Sequence, residues 1–244
     1  METKNTGRLT MQKFIGLLLA TLFLFAGGCA VQPTLSTSSD AERSFDGLYP
    51  FEHTVVDRAW ARADIDLSGY TKIKLEGAGI SFRPAKSAAK SNLAQARANQ
   101  SNFKIDAKAR DRLRRTVSDA FIQELAKLEQ FEITEEIGPD VLIIRAGLLD
   151  VASKVPADVS ARSDIYLTSV GEATLLLEII DSESGAVLLR AIDRRAAERP
   201  GMPFPSNSVS NWVEVKRLAQ FWGALLRESL DGMVQSMSLS EDES

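Results

Sequence analysis

Residues Val141–Val151 read "VLIIRAGLLDV", an almost unbroken apolar run. A strand with one face in water alternates polar and apolar residues. A run without alternation predicts a central strand covered on both faces, and therefore a sheet with further strands on each side of it. The rest of the chain is read around that requirement.

Upstream, Tyr70–Phe82 carries a second strand signal with a change of parity. Ile73 and Leu75 share one face, whereas Ala78, Ile80 and Phe82 have the opposite parity, and Gly77 and Gly79 stand at the changeover, which predicts a bulge. From Asp106 to Leu128, the residues Leu113, Val117, Phe121, Leu125 and Leu128 recur at helical spacing, with Asp106 as the N-cap. "FEIT" after that helix is a short strand. Downstream of the central run, "GEATLLLEIIDSESGAVLLRAIDRRAAE" predicts a β-hairpin turning through Asp181–Gly185. A second helix follows, with Val215, Leu218, Phe221, Trp222, Leu225, Leu226, Leu230 and Met233 as its apolar stripe. Residues 83–104, rich in Ala, Ser, Asn and Lys, read as an exposed loop.

A strand–helix–strand order implies parallel pairing of the flanking strands, and the hairpin then extends the sheet antiparallel. The expected fold is α+β: a single domain with a mixed, mostly antiparallel sheet of about four to five strands and two amphipathic helices on one face.

The N-terminal region sets the location. Basic residues Lys4, Arg8 and Lys13 precede Phe14–Ala26, thirteen apolar or small residues. A membrane-spanning helix needs about 20, so the segment reads as the apolar part of a secretory signal. It ends in Gly27-Gly28-Cys29, and Cys29 is the only cysteine of the chain. Small residues before a cysteine resemble the lipobox of bacterial lipoproteins, although Ala26 stands where leucine is usual. Residues 1–28 are therefore expected to be a lipoprotein signal peptide and Cys29 the lipidated N-terminus. Several acyl chains anchor stably where one does not. Residues 29–44 read as the lipidated N-terminus and a flexible tether, 45–236 as a periplasmic domain, and 237–244 as an acidic disordered tail. Ala30 is not the aspartate that holds enterobacterial lipoproteins in the inner membrane, which favours the outer membrane, facing the periplasm.

Composition removes several classes. A net charge of −4 does not support a nucleic-acid partner, whose binders usually show a basic excess. One cysteine and one histidine preclude an internal disulfide, a Cys-rich zinc site and most metal or triad arrangements.

"FDGLYPF", "RAWARADIDLSGYTKIKLEGAGISF", "PDVLIIRAGLLDV", the hairpin and "FWGALLRESLD" together resemble the bacterial lipoproteins of domain of unknown function 3313, over most of residues 46–232. The resemblance implies a lipid-anchored periplasmic protein and brings no catalytic residues with it. The order of elements is also similar to periplasmic accessory lipoproteins of transport and secretion machines, an analogy of fold alone.

The residue chemistry is sparse. His53 has no nucleophile motif beside it, and GxSxG does not occur. Gly77-Ala78-Gly79 lacks the third glycine of a dinucleotide fingerprint. Asp181, Glu183 and Gly185 match part of a calcium loop, but "AVLLR" follows without the closing glutamate, so a hairpin turn is the better reading. Asp64/Asp66 and Glu135/Glu136 could serve glycoside hydrolysis only at a separation that sequence does not set. Trp222 lies on the helix stripe and reads as core, while Trp60 and Trp212 are open between core and ligand-facing roles. No catalytic residue, cofactor or metal ligand is assigned. The favoured reading is a non-enzymatic envelope lipoprotein, anchored to the membrane through Cys29, that binds or supports an envelope protein. Tyr49 and Phe51 are its candidate partner contact. The alternative is a carboxylate-dependent cell-wall or carbohydrate hydrolase.

Overall fold

The alternation in the hairpin and the unbroken run at Val141 both resolve into long strands. A computed structural model describes residues 33–85, 102–156 and 165–241. Ten strands and two helices occur among them: β1 Thr34–Leu35, β2 Tyr49–Glu52, β3 Arg58–Ala61, β4 Lys72–Phe82, α1 Ala107–Leu125, β5 Glu132–Ile133, β6 Val141–Ser153, β7 Tyr166–Leu167, β8 Ser169–Asp181, β9 Val187–Glu198, β10 Phe204–Pro205 and α2 Ser208–Glu241. The principal sheet has the order β1-β2-β3-β9-β8-β6-β4-β5, and β10 pairs with β7 in a second, two-stranded sheet.

The fold is α+β with a large mixed sheet, as expected, but the principal sheet holds eight strands rather than four to five. The additional strands come from the aromatic N-terminal stretch. β2 and β3 have four residues each and β1 two, too few for a period of two to stand out. β4 runs parallel to both β5 and β6, and the other pairings are antiparallel. β6 lies between β4 and β8 with Val141–Ile144 all buried.

The predicted bulge is present. The β4–β6 register shifts between Gly77 and Gly79, where Gly79 has φ of +93°. A glycine takes this conformation without the Cβ clash other residues incur. The extra residue restores Ile80 and Phe82 to the core face used by Ile73 and Leu75. The hairpin turn also forms: Asp181 N–H donates to Ala186 O at 3.0 Å, Gly185 N–H to Asp181 O at 2.9 Å, and Gly185 has φ of +69°.

Asp106 caps α1, its carboxylate accepting the Ala109 N–H at 2.7 Å. Phe121 and Leu125 of α1 and Trp222, Leu226 and Leu230 of α2 pack with Leu142, Ile144 and Leu148 of β6 in one core. Both helices therefore serve one face of the sheet. Phe221, assigned to the α2 stripe, is 42 % exposed, and Arg195 lies over its ring at 4.4 Å. The stripe is wider than the face the core can cover, and its margin is left to a cation.

On the opposite face, successive strands place Glu76, Arg145, Glu178 and Arg190 in one row. Arg145 lies 3.1 Å from Glu76, and Arg190 bridges Glu178 and Asp46 at 2.8 Å each. Alternating charge across a sheet stabilises it through each cross-strand pair.

Two N- and C-terminal expectations change. Thr34 and Leu35, assigned to a free tether, pair with Glu52 and Phe51, and Ser36 N–H donates to Pro50 O at 2.9 Å. The unsatisfied edge of β2 takes up the segment, so the fold begins at Thr34. At the other end α2 extends to Glu241, inside the segment expected as a tail. Residues 233–241 contain no Gly or Pro to stop it. The signal segment, Cys29 and Ala30, most of the 83–104 loop and residues 242–244 lie outside the described residues.

Candidate functional site

Between the two helices and the ends of β6, β8 and β9 lies a cavity of about 600 Å³. Its floor is Leu148, Val151, Val170, Ala173 and Ala197, contributed by the core-facing positions of three strands. Its walls are Leu113 and Val117 from α1 and Val215, Leu218, Ala219 and Trp222 from α2. At the floor two strands approach closely. A Cβ at Gly171 would stand 2.3 Å from Ala152 O, so only glycine lets β8 approach β6 here.

The rim carboxylates Asp106 and Glu172 and the amide Asn207 are already engaged with the protein. Asp106 caps α1. Asn207 caps α2, its side-chain oxygen accepting the N–H groups of Val209 and Ser210 at 2.9 Å each. Glu172 accepts from Arg83 and Arg194, each at 2.7 Å. The Arg83 hydrogen bond, opposed by burial and reinforced by Arg194, holds the Glu172 carboxyl below the usual carboxylate range. Such a group is ionised at neutral pH and has no proton to donate as a general acid.

The sequence candidates divide between this site and the surface. Trp222 is 2 % exposed, and its indole N–H donates to buried Asp193 at 2.7 Å. It is both a core residue and part of the cavity wall. Trp212 also lines the cavity, half-buried, with Arg112 over its ring at 4.4 Å. Trp60 lies on β3 opposite Arg190, in the row on the other sheet face. His53 is exposed with φ of +58°, just after β2. Asp64 pairs with Arg62 at 3.2 Å, and Asp66 accepts the Ser68 N–H at 2.8 Å. Glu135 and Glu136 are exposed after β5. Asp181 accepts from Ser184 N–H and from Tyr70 OH within the hairpin turn. None of these acids lines the cavity. Among the described residues no His, Cys, Asp and Glu cluster could hold a metal ion. Tyr49 and Phe51 both lie in β2, which is paired on both sides. Arg43 covers the Tyr49 ring at 4.2 Å, and Phe51 packs against the core.

The model of the family described as "Protein of unknown function (DUF3313)" matches residues 37–226. The chain belongs to this family. The match spans β2 to most of α2's buried length, so this DUF3313 chain carries the cavity within the family region. No curated protein matches the sequence. Among solved structures, protein XCC0632 from Xanthomonas campestris, of family DUF330, is similar at 9 % identity with a TM-score of 0.41, over 70 % of this chain and 89 % of that one. A PelC dodecamer from Paraburkholderia phytofirmans is similar at 10 % identity and a TM-score of 0.32, over 69 % and 96 %. A neuraminyllactose-binding hemagglutinin homolog from Helicobacter pylori gives 8 % identity and 0.35, over 69 % and 90 %.

Proposed function

We propose that this DUF3313 chain is a lipid-anchored envelope protein that binds an apolar ligand between its helices and sheet and catalyses no reaction. One observation carries the reading: the cavity is lined by aliphatic and indole side chains, while Asp106 and Glu172 at its rim are already bonded to the protein. A volume of about 600 Å³ falls in the range of about 300–1,000 Å³ usual for ligand sites. A carboxylate hydrolase needs a proton-donating acid facing a second carboxyl; of the two rim carboxylates, Glu172 is held ionised by Arg83 and Asp106 is engaged in the α1 cap.

The anchor rests on the sequence "AGGC" and its destination on Ala30. With pairing established from Thr34, four residues, 30–33, separate Cys29 from the sheet. Fully extended they span about 14 Å, so a lipid on Cys29 would hold the domain close to the outer membrane, on its periplasmic side. An envelope partner for such a domain is membrane-proximal.

Two measurements test the reading. A fatty-acid probe should label the protein, and Cys29→Ser should abolish labelling and release the chain from membranes. A mutant that stays membrane-bound removes the anchor. Separately, the protein should brighten an apolar fluorescent dye, and Leu113→Trp, which fills the cavity, should abolish the signal. Unchanged brightening in that variant removes the cavity as the binding site.

A further inference from the structure

The first half of α1 and the residues before it are strongly basic. Lys104, Lys108, Arg110, Arg112, Arg114 and Arg115 stand against Asp106 and Asp111, in a chain of net charge −4. Both acids are occupied, Asp106 by the Ala109 N–H at 2.7 Å and Asp111 by Arg114 at 3.1 Å. Arg110 and Arg112 lie over the rings of Phe82 and Trp212, at 4.6 and 4.4 Å. Lys104, Lys108 and Arg115 form no ion pair among the described residues. Helix N-termini favour anions and disfavour cations, and the first turn of α1 contains no acid. The helix thus keeps a positive patch against its own field, without counter-charges for these three residues among the described ones. That arrangement suits an external anion.

The patch borders the apolar cavity. Lys104 lines the cavity itself, and Trp212 beneath Arg112 is part of its wall. Across the opening, Val209 and Val213 on the first turns of α2 are 71 % and 45 % exposed, beside the rim residues Asn207 and Asn211. Cations and exposed aliphatic side chains around an apolar cavity match the two ends of an anionic lipid.

We propose that the cavity and the basic half of α1 bind an anionic phospholipid of the anchoring membrane, with an acyl chain among Leu148, Val215 and Trp222 and the phosphate against Lys104 and Lys108. The proposal rests on the apolar-ligand reading above, and for the lipid's source on the anchor at Cys29.

The test uses the full chain carrying Cys29→Ser, so that binding is read without the anchor. It is mixed with vesicles of phosphatidylglycerol, or of phosphatidylcholine, whose acyl chains carry bromine. Brominated phosphatidylglycerol should quench the tryptophan emission from the cavity, and phosphatidylcholine should quench it far less. Lys104→Glu with Lys108→Glu, both at exposed positions, should weaken phosphatidylglycerol binding by about tenfold or more. Val215→Phe should keep vesicle binding and lose the quenching. Vesicle binding without quenching in the unfilled protein would mean adsorption alone and overturn the proposal. Dye binding in the cavity with no response to either lipid would also overturn it, leaving the apolar-ligand reading intact. Equal quenching by both lipids would overturn the assignment to an anionic headgroup.

Discussion

Asp193 is 2 % exposed, and its carboxylate accepts from the Trp222 indole at 2.7 Å and the Arg195 guanidinium at 2.6 Å. Both donors bind the same oxygen, Oδ2. A buried carboxylate that loses one of two donors keeps its desolvation cost with less compensation. Trp222→Phe keeps an aromatic ring at the position but removes the N–H together with part of the indole's packing. It should therefore lower unfolding stability by about 1.5–3 kcal/mol, the usual range for a hydrogen bond to a charged group. Urea unfolding checks this, with an unchanged slope expected. A midpoint equal to the parent's would mean that Arg195 alone holds Asp193. At this scale the sequence was half legible. Helical spacing marked Trp222 as core, but the position of Asp193 on an interior-facing site of β9 becomes meaningful only when α2 lies across it.

The elements differ in how openly they are written. The hairpin was legible because long alternation on both sides meets Gly185, and the bulge because parity reverses at Gly77 and Gly79. β1–β3 were not, because two to four residues carry too little pattern and owe their conformation to β9. The cavity was illegible for a different reason: its lining is assembled from both helices and three strands, and each lining residue taken singly is an ordinary core residue. Rim chemistry also depends on pairing between elements. Arg83, just beyond β4, bonds Asp150 of β6 and Glu172 of β8, and is the leading cause that holds both carboxyls below their ordinary range. Depressed folded-state values mean that this contribution is complete above the unfolded carboxylate range, about pH 4, and is lost as pH falls through and below it. Acidification should thus lower the thermal midpoint, and Arg83→Met should flatten that decline. An acid profile identical to the parent's would show that these three side chains do not couple β4, β6 and β8.

For the molecule as a whole, α2 completes the core. Trp222, Leu226 and Leu230 are each no more than 5 % exposed and pack with residues of both α1 and the sheet. A chain ending at Pro205 leaves that face of the sheet open over most of its core positions. It should lack a cooperative unfolding transition by calorimetry, and a sharp transition with the parent's midpoint would mark α2 as dispensable. The strand order has a temporal consequence as well. β1, β2 and β3 are made first, yet β3 joins the sheet only by pairing with β9, the last of the long strands. Pairings between distant parts of a chain close slowly. During synthesis, the N-terminal strands must wait for nearly the entire domain to emerge before they have a template. If Cys29 is acylated, that modification acts on a chain whose nearest strand still has no neighbour beyond its own short meander.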